Sequence, residues 1–158
     1  MSIEVRRATP EDDRFISALG SACAASSISR IRMVPEGVVS LSFQRLLMFC
    51  RERPGTVDLI GEIDGQPAGF LILLTDIPDD VTQQDQAFVA FMAVGEEARR
   101  SGVGTALLRN AEIEARRLGL PHLSLMVSAD NAAARSLYSA AGFVHERMLM
   151  TKALDEPA

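Results

Sequence analysis

Arg99-Arg100-Ser101-Gly102-Val103-Gly104 sits between a strand-like apolar run, Ala87–Val94, and a helix-like run over 102–118. Two glycines two apart at a strand-to-helix junction let the backbone turn tightly and aim several N–H groups into one small volume. The helix that follows brings the positive end of its dipole to the same spot. Phosphate is the natural guest of such a site. Arg99 and Arg100 add full charge and a planar fork that matches phosphate oxygens. A nucleotide P-loop would end in Lys and Ser or Thr, but the one lysine of this chain is Lys152. A dinucleotide fingerprint would carry a third glycine where Leu107 stands.

Upstream of the turn, Ile3-Glu4-Val5-Arg6 alternates like an edge or half-buried strand. Thr9-Pro10-Glu11-Asp12 reads as a helix start, with Thr9 as N-cap and Phe15, Leu19 and Ala22 on one face of the helix. Residues 26–40 read as irregular. A second helix over 41–53 turns Phe43, Leu46, Leu47 and Cys50 inward and stops at Pro54-Gly55. Val57–Ile63 and 68–75 flank Asp64-Gly65-Gln66-Pro67, a strong hairpin signal. Ala87–Val94 is apolar throughout, as a central strand covered on both faces would be. On the turn's own helix, Gly104, Leu108, Ala111, Ala115 and Leu118 share a stripe, and Gly119 and Pro121 end it. Downstream follow a strand over 122–127, a short helix capped by Asp130-Asn131 and closed by Gly142, and a last strand or hairpin arm over 143–153. The order predicts a mixed α/β (α+β) fold in one domain, 1–158, with a strand–helix–strand–helix–strand core.

At 158 residues, 47% hydrophobic and 23% charged, the chain can bury a sizeable core. The net charge of −5 argues against a nucleic-acid binder, and no stretch is long and apolar enough for a membrane span. The N-terminus lacks a signal-peptide apolar core, so a cytoplasmic location is expected. Cys23 and Cys50 lie in helix-like segments without metal spacing and read as reduced, buried thiols, so no metal is expected.

Asn131 and Tyr138 stand seven apart on the short helix, two turns, and so project from one side. Tyr138 is the single tyrosine. Its phenol, of ordinary pKa about 10, can give a proton to a developing anion or simply pack its ring in the core. Arg99-x-x-Gly102-x-Gly104-x-x-Leu107-Leu108 after a strand ending in Val94 resembles the coenzyme-binding signature of the GNAT N-acetyltransferase superfamily. The strand over 122–127 followed by Asn131, Leu137-Tyr138 and Gly142-Phe143 resembles that superfamily's second signature, in the same order and at the usual distance. Arg6-x-Ala8-Thr9-x-x-Asp12 is similar to its N-terminal pattern.

The resemblance implies a central, mostly antiparallel mixed sheet with a splayed parallel strand pair and helices on both faces. It implies acetyl-CoA as co-substrate, its pyrophosphate on the backbone of Arg99, Arg100, Ser101, Gly102, Val103, Gly104 and Thr105. It implies a pantetheine arm lying along Met92, Ala93 and Val94 and touching Asn131, and Tyr138 protonating the departing thiolate. The reaction implied is direct acetyl transfer to a primary amine of a small molecule. A protein or peptide N-acetyltransferase, acting on an N-terminus or a lysine, and a non-catalytic acetyl-CoA-binding module remain as alternatives. A homodimer is compatible with the family.

An alkyl amine of pKa about 10.4 must first lose a proton. Members of the superfamily often carry Glu or His for this on the strand before the turn, but here those positions fall at Phe88 and Ala90. A water chain, Asp85, Glu62 or His122 are the remaining routes. The thioester oxygen needs a donor as it becomes negative, most simply a backbone N–H at Met92 or a neighbour. The acceptor is expected between 26–55, made basic by Arg30, Arg32, Arg45, Arg51 and Arg53, and 76–86, made acidic by four aspartates. Such a pair of segments suits either a substrate carrying both a carboxylate and an amine or two solvated surfaces of opposite sign.

Overall fold

Asp64 and Gly65 both take positive φ, 49° and 79°, the requirement of a two-residue hairpin turn. That turn joins β2 (Val57–Ile63) to β3 (Gln66–Leu74) in a computed structural model that describes residues 1–154. With β1 (Ile3–Arg7), β4 (Ala87–Val94) and β5 (Leu123–Leu125) they form one sheet in the order β1-β2-β3-β4-β5. The first four strands are antiparallel and β5 runs parallel to β4. The helices are α1 (Asp13–Cys23), α2 (Glu36–Arg51), α3 (Val103–Arg117) and α4 (Ala132–Ala140).

Alternation along the strands divides the interior in two. One face of the sheet, with Leu59, Leu71, Leu73, Ala87 and Val89, packs under α3 through Val103, Leu107, Leu108, Ala111 and Ala115. The other face, with Ile60, Phe70, Ile72 and Leu74, is covered by Ile16 of α1 and Val39, Phe43 and Cys50 of α2. The expected helices on both faces are present. Within the second cluster the rings of Phe43 and Phe91 lie 4.7 Å apart at a tilt, a favourable aromatic geometry.

Several local expectations shift. α2 begins at Glu36, a turn and more before residue 41, because burial of Val39 outweighs the weak helix preference of Gly37, Val38 and Val39. On α1 the buried positions are Ile16 and Gly20, and Ala22 is exposed. Leu118 is exposed past the end of α3. Cys50 is buried, which pushes its thiol up to about 11, whereas Cys23 is only half-buried. β5 keeps three residues of the expected six, and 143–153 forms no strand.

Arg6 and Asp12 fasten β1 to the start of α1. The guanidinium donates to both Asp12 oxygens, at 2.7 and 2.9 Å, and its Nε donates to Glu62 at 2.7 Å. Asp12 also accepts the Thr9 N–H. The Arg6 fork, followed by the Thr9 amide, holds the buried Asp12 carboxyl down at about 2 against an ordinary 3.8. A folded-state value below the unfolded one stabilises above pH ~4, and the gain disappears as pH falls through about 2. Asp12→Asn is expected to cost about 2 kcal/mol at pH 7 and to converge on the parent protein near pH 2. Urea unfolding at several pH values measures this; a pH-independent difference would contradict it.

Candidate active site

The turn after β4 is built from alternating backbone conformations. Residues 96–98 form one 3-10 turn, Arg99 is extended, Arg100 has φ 61° and Gly102 has φ 101°. Glycine is needed at 102, since a side chain there would sit in the left-handed region. Ser101 closes the loop from inside, its N–H and Oγ both donating to the Ala98 carbonyl, at 3.3 and 2.6 Å. The first helical bond of α3 is the Ala106 N–H to the Gly102 carbonyl at 3.0 Å, so the N–H groups of Val103, Gly104 and Thr105 have no helical acceptor. Among the described residues nothing accepts the N–H of Arg100 or Gly102 either. Five backbone donors without an acceptor among the described residues therefore lie at one end of α3. Arg99 and Arg100 are exposed beside them and join no ion pair among the described residues, whereas Arg6, Arg7, Arg51, Arg53, Arg116, Arg117 and Arg147 all do.

The sheet fixes where that end points. Val103 is fully buried over Gly61 of β2 and Gly69 of β3, which face each other in register. A Cβ on Gly61 would come within 2.8 Å of Val103 Cγ1, and one on Gly69 within 2.8 Å of the Ala93 carbonyl. Bare backbone at both positions lets the first turn of α3 sit directly on the strands. On its other side, a Cβ on Gly104 would lie 3.1 Å from Leu137 of α4, so α4 is drawn close to the same turn.

β4 carries a bulge at Ala90. Leu73 pairs with Val89 and Ile72 with Phe91, which leaves Ala90 unmatched. As a result Ala90 and Phe91 both join the cluster under α1 and α2, and Met92 and Val94 return to the α3 side. A bulge bends its strand and ends regular pairing. Pairing of β4 with β5 accordingly covers Ala87 to Val89 against Leu123 to Leu125 and goes no further. From Ala90 to Val94 the strand has β3 alone as neighbour, and a wedge opens toward the glycine turn. Met92, Ala93 and Val94 lie along this wedge.

Tyr138 is half-buried on α4, packed against the α3-side core with its ring edge-on to Phe143 at 5.8 Å. Burial raises its phenol above the ordinary 10, so it stays protonated at neutral pH. Its hydroxyl makes no hydrogen bond among the described residues. Asn131 is committed within the chain: its Oδ1 caps α4 by accepting the Ala134 N–H at 3.1 Å, and its Nδ2 donates to the Ser26 carbonyl at 3.2 Å. Asp130 beside it accepts the Arg30 N–H at 2.9 Å. Together they bind the connection between α1 and α2 to the exit of β5, an arrangement between residues a hundred apart that local sequence does not announce.

That connection lines an open surface groove of about 350 Å³ with Ala25, Ile28, Ser29, Met33, Val34 and Val39, and Arg30 and Glu36 are its charged groups. Much of the charge expected to face an acceptor is used internally. Arg53 pairs with Asp76, Arg51 bridges Asp13 and Asp58, and Arg147 pairs with Asp79 and Asp80. Of the side chains weighed as a base, Glu62 is held by Arg6. Asp85 and His122 are exposed at the paired end of β4 and β5, where Ala87 donates to the His122 carbonyl, away from the wedge. Phe88, Ala90, Phe91 and Met92 offer no titratable group.

A helix end with free backbone donors thus stands beside a strand wedge over a mixed sheet. The Acetyltransferase (GNAT) family model matches residues 28–143, and the chain belongs to that family. L-2,4-diaminobutyric acid acetyltransferase of Nocardia farcinica (strain IFM 10152) is 32% identical over 118 residues, 73% of this chain. The chain spans 58% of that relative's length. Among solved structures, an acetyl transferase from Pyrococcus furiosus superposes with a TM-score of 0.80 at 20% identity, over 97% of this chain and all of that one. AAC(6')-Iy, solved with the bisubstrate analog CoA-S-monomethyl-acetylneamine, gives 0.70 at 14% identity over 98% and 99%. At such identities these two likenesses concern the fold.

Proposed function

We propose that this chain is an acetyl-CoA-dependent N-acetyltransferase that moves the acetyl group directly to a primary amine of a small molecule. The observation that carries the reading is the set of five unpartnered N–H donors, with Arg99 and Arg100 beside them, at the mouth of the β4–β5 wedge. The backbone of residues 99–105 would hold the pyrophosphate, and the free side of Met92, Ala93 and Val94 would pair with the pantetheine arm as a further strand does. Asn131 would act at the edge of that channel by fixing α4 and the Ser26 carbonyl. Bound acetyl-CoA supplies an activated acyl group; the chain orients it and manages protons. A backbone N–H near Met92, freed by the bulge at Ala90, would donate to the thioester oxygen as it gains charge. Tyr138, kept neutral by burial, would protonate the departing thiolate. With no carboxylate or imidazole on β4 itself, the acceptor's proton would leave through water.

Two features favour a small acceptor with both an amine and a carboxylate. The groove on the α1–α2 connection presents Arg30 and Glu36, one charge of each sign, on a largely apolar wall. The Nocardia relative is named for a diamino acid. Acetyl-CoA offered with 2,4-diaminobutyrate and other free amino acids that carry a second amine is expected to release coenzyme thiol, read with a thiol reagent. Release only with peptides or folded proteins would replace the acceptor class. Tight coenzyme binding without turnover on any acceptor would make the chain a binding module.

A further inference from the structure

A second open groove, of about 320 Å³, lies where β1 ends, α1 starts and α2 gives way to β2. Its polar lining includes Arg7, Thr9, Asp13, Arg51, Arg53 and Asp58. It shares no residue with the glycine turn, the strand wedge or the groove on the α1–α2 connection. Asp58 is its most buried charge. Val57 and Leu59 on either side turn to the α3 face, so Asp58 points to the α1 and α2 layer, with its side chain 13% exposed. Arg51 stands 3.3 Å from Oδ2, while Oδ1 is buried and receives no hydrogen bond among the described residues. That arginine is shared, because it lies closer to Asp13, at 2.8 Å. The other donors of the groove are engaged elsewhere. Arg7 pairs with Glu114 and Arg53 with Asp76, and the hydroxyls of Thr9 and Thr56 donate to Asp12 and to the Cys50 carbonyl. Two carboxylates therefore have one guanidinium between them. Burial outweighs its attraction and holds the Asp58 carboxyl above the usual range. A buried carboxylate oxygen without a donor is costly, and the chain supplies none.

We propose that this groove binds a small organic cation, through a primary ammonium held between Asp58 and Asp13. An ammonium brings three donors and one positive charge. It supplies the donor that Oδ1 lacks and the charge that two acids sharing one arginine leave unbalanced. The carboxyl torsion of an aspartate is broad, so either oxygen of Asp58 can turn to the groove. A bare metal ion fits less well, because the Arg51 guanidinium already stands between the two carboxylates. The volume lies at the lower end of the range for small-molecule sites, which suits a short alkyl amine. Acetylation removes the charge from an amine, so this site would hold a free amine and release its amide. Binding here depends neither on what the wedge carries nor on whether turnover occurs.

Amide NMR spectra of the full chain, titrated with butylammonium chloride at constant ionic strength, test the site. Resonances of residues 7–13 and 51–58 are expected to move together and to saturate. Butanol, which has the same shape without the charge, should leave them in place. Asp58→Asn should weaken the binding at least about tenfold. Asp13→Asn, at an exposed position, should weaken it about threefold. Resonances unmoved elsewhere in each variant report an intact fold. If Asp58→Asn were to lose its dispersed spectrum, Asp13→Asn and the butanol comparison decide the matter. Saturation untouched by the substitutions overturns the proposal, as does an equal response to butanol. The absence of any saturable shift overturns it too, and so do shifts confined to 25–39 and 90–94, which would place the amine in the acceptor's own site.

Discussion

Tyr138→Phe is expected to lower kcat by about 10²–10⁴ and to leave coenzyme affinity and melting temperature unchanged. The phenylalanine keeps the ring that packs on the α3-side core and on Phe143, so the change removes the hydroxyl and little else. A departing alkyl thiolate, whose conjugate acid has a pKa of about 8.5, gains from a proton donor that is still neutral when the acceptor amine has lost its own. Burial of Tyr138 meets that demand by holding the phenol above its ordinary 10. The pH profile carries a second signature. Because no side-chain base lines the wedge, the rising limb of kcat/KM should follow the acceptor amine's own pKa and move when the acceptor is changed. Ionisation of the phenol should produce a falling limb above pH ~10 in the parent protein, absent in the phenylalanine variant. An unchanged kcat would remove Tyr138 from the mechanism, whatever the coenzyme does.

What sequence disclosed and what it hid follow one physical distinction. Gly102 and Asp64-Gly65 were readable because each demands a backbone conformation that few residues tolerate, and both take positive φ in the structure. β4 was readable because a strand covered on both faces is apolar throughout. The bulge at Ala90 was hidden for the same reason, since one extra residue in an all-apolar run changes facing without changing composition. Asp12 was recognisable as an acid in a first turn, but its fork with Arg6 and the third partner Glu62 need the folded sheet. Asp130 and Asn131 read as a helix cap. Their hold on Arg30 and Ser26 links segments a hundred residues apart, beyond any local pattern. The segment over 143–153 reads as a last strand or hairpin arm, and among the described residues it forms no strand. Phe88 and Ala90 offer no titratable group in the sequence, and Phe91, Met92, Ala93 and Val94 add none along β4.

Gly102→Glu is expected to weaken coenzyme binding by about 100-fold, because it acts on the turn in two ways at once. A side chain at φ 101° forces this residue out of a conformation that L-residues rarely hold, and the N–H groups of 102–105 lose their common aim. The carboxylate then stands where the pyrophosphate would lie, and a like charge within about 4–6 Å repels it. Gly102→Ala separates the two contributions, since it carries the backbone strain without the charge and should cost less. Neither variant disturbs the buried contacts of Val103 with Gly61, and the nearest atom to a Cβ at 102 is Ile3 Cδ1 at 3.4 Å, an ordinary contact that leaves the fold intact. Arg99→Ala and Arg100→Ala should lower affinity by a smaller amount that shrinks as salt is raised, since exposed charges are screened where aligned amides are less so. Calorimetric titration with acetyl-CoA reads all four. Undiminished affinity in Gly102→Glu would move the diphosphate site away from this turn, and the assignment of β4 and Tyr138 to the acyl end would go with it.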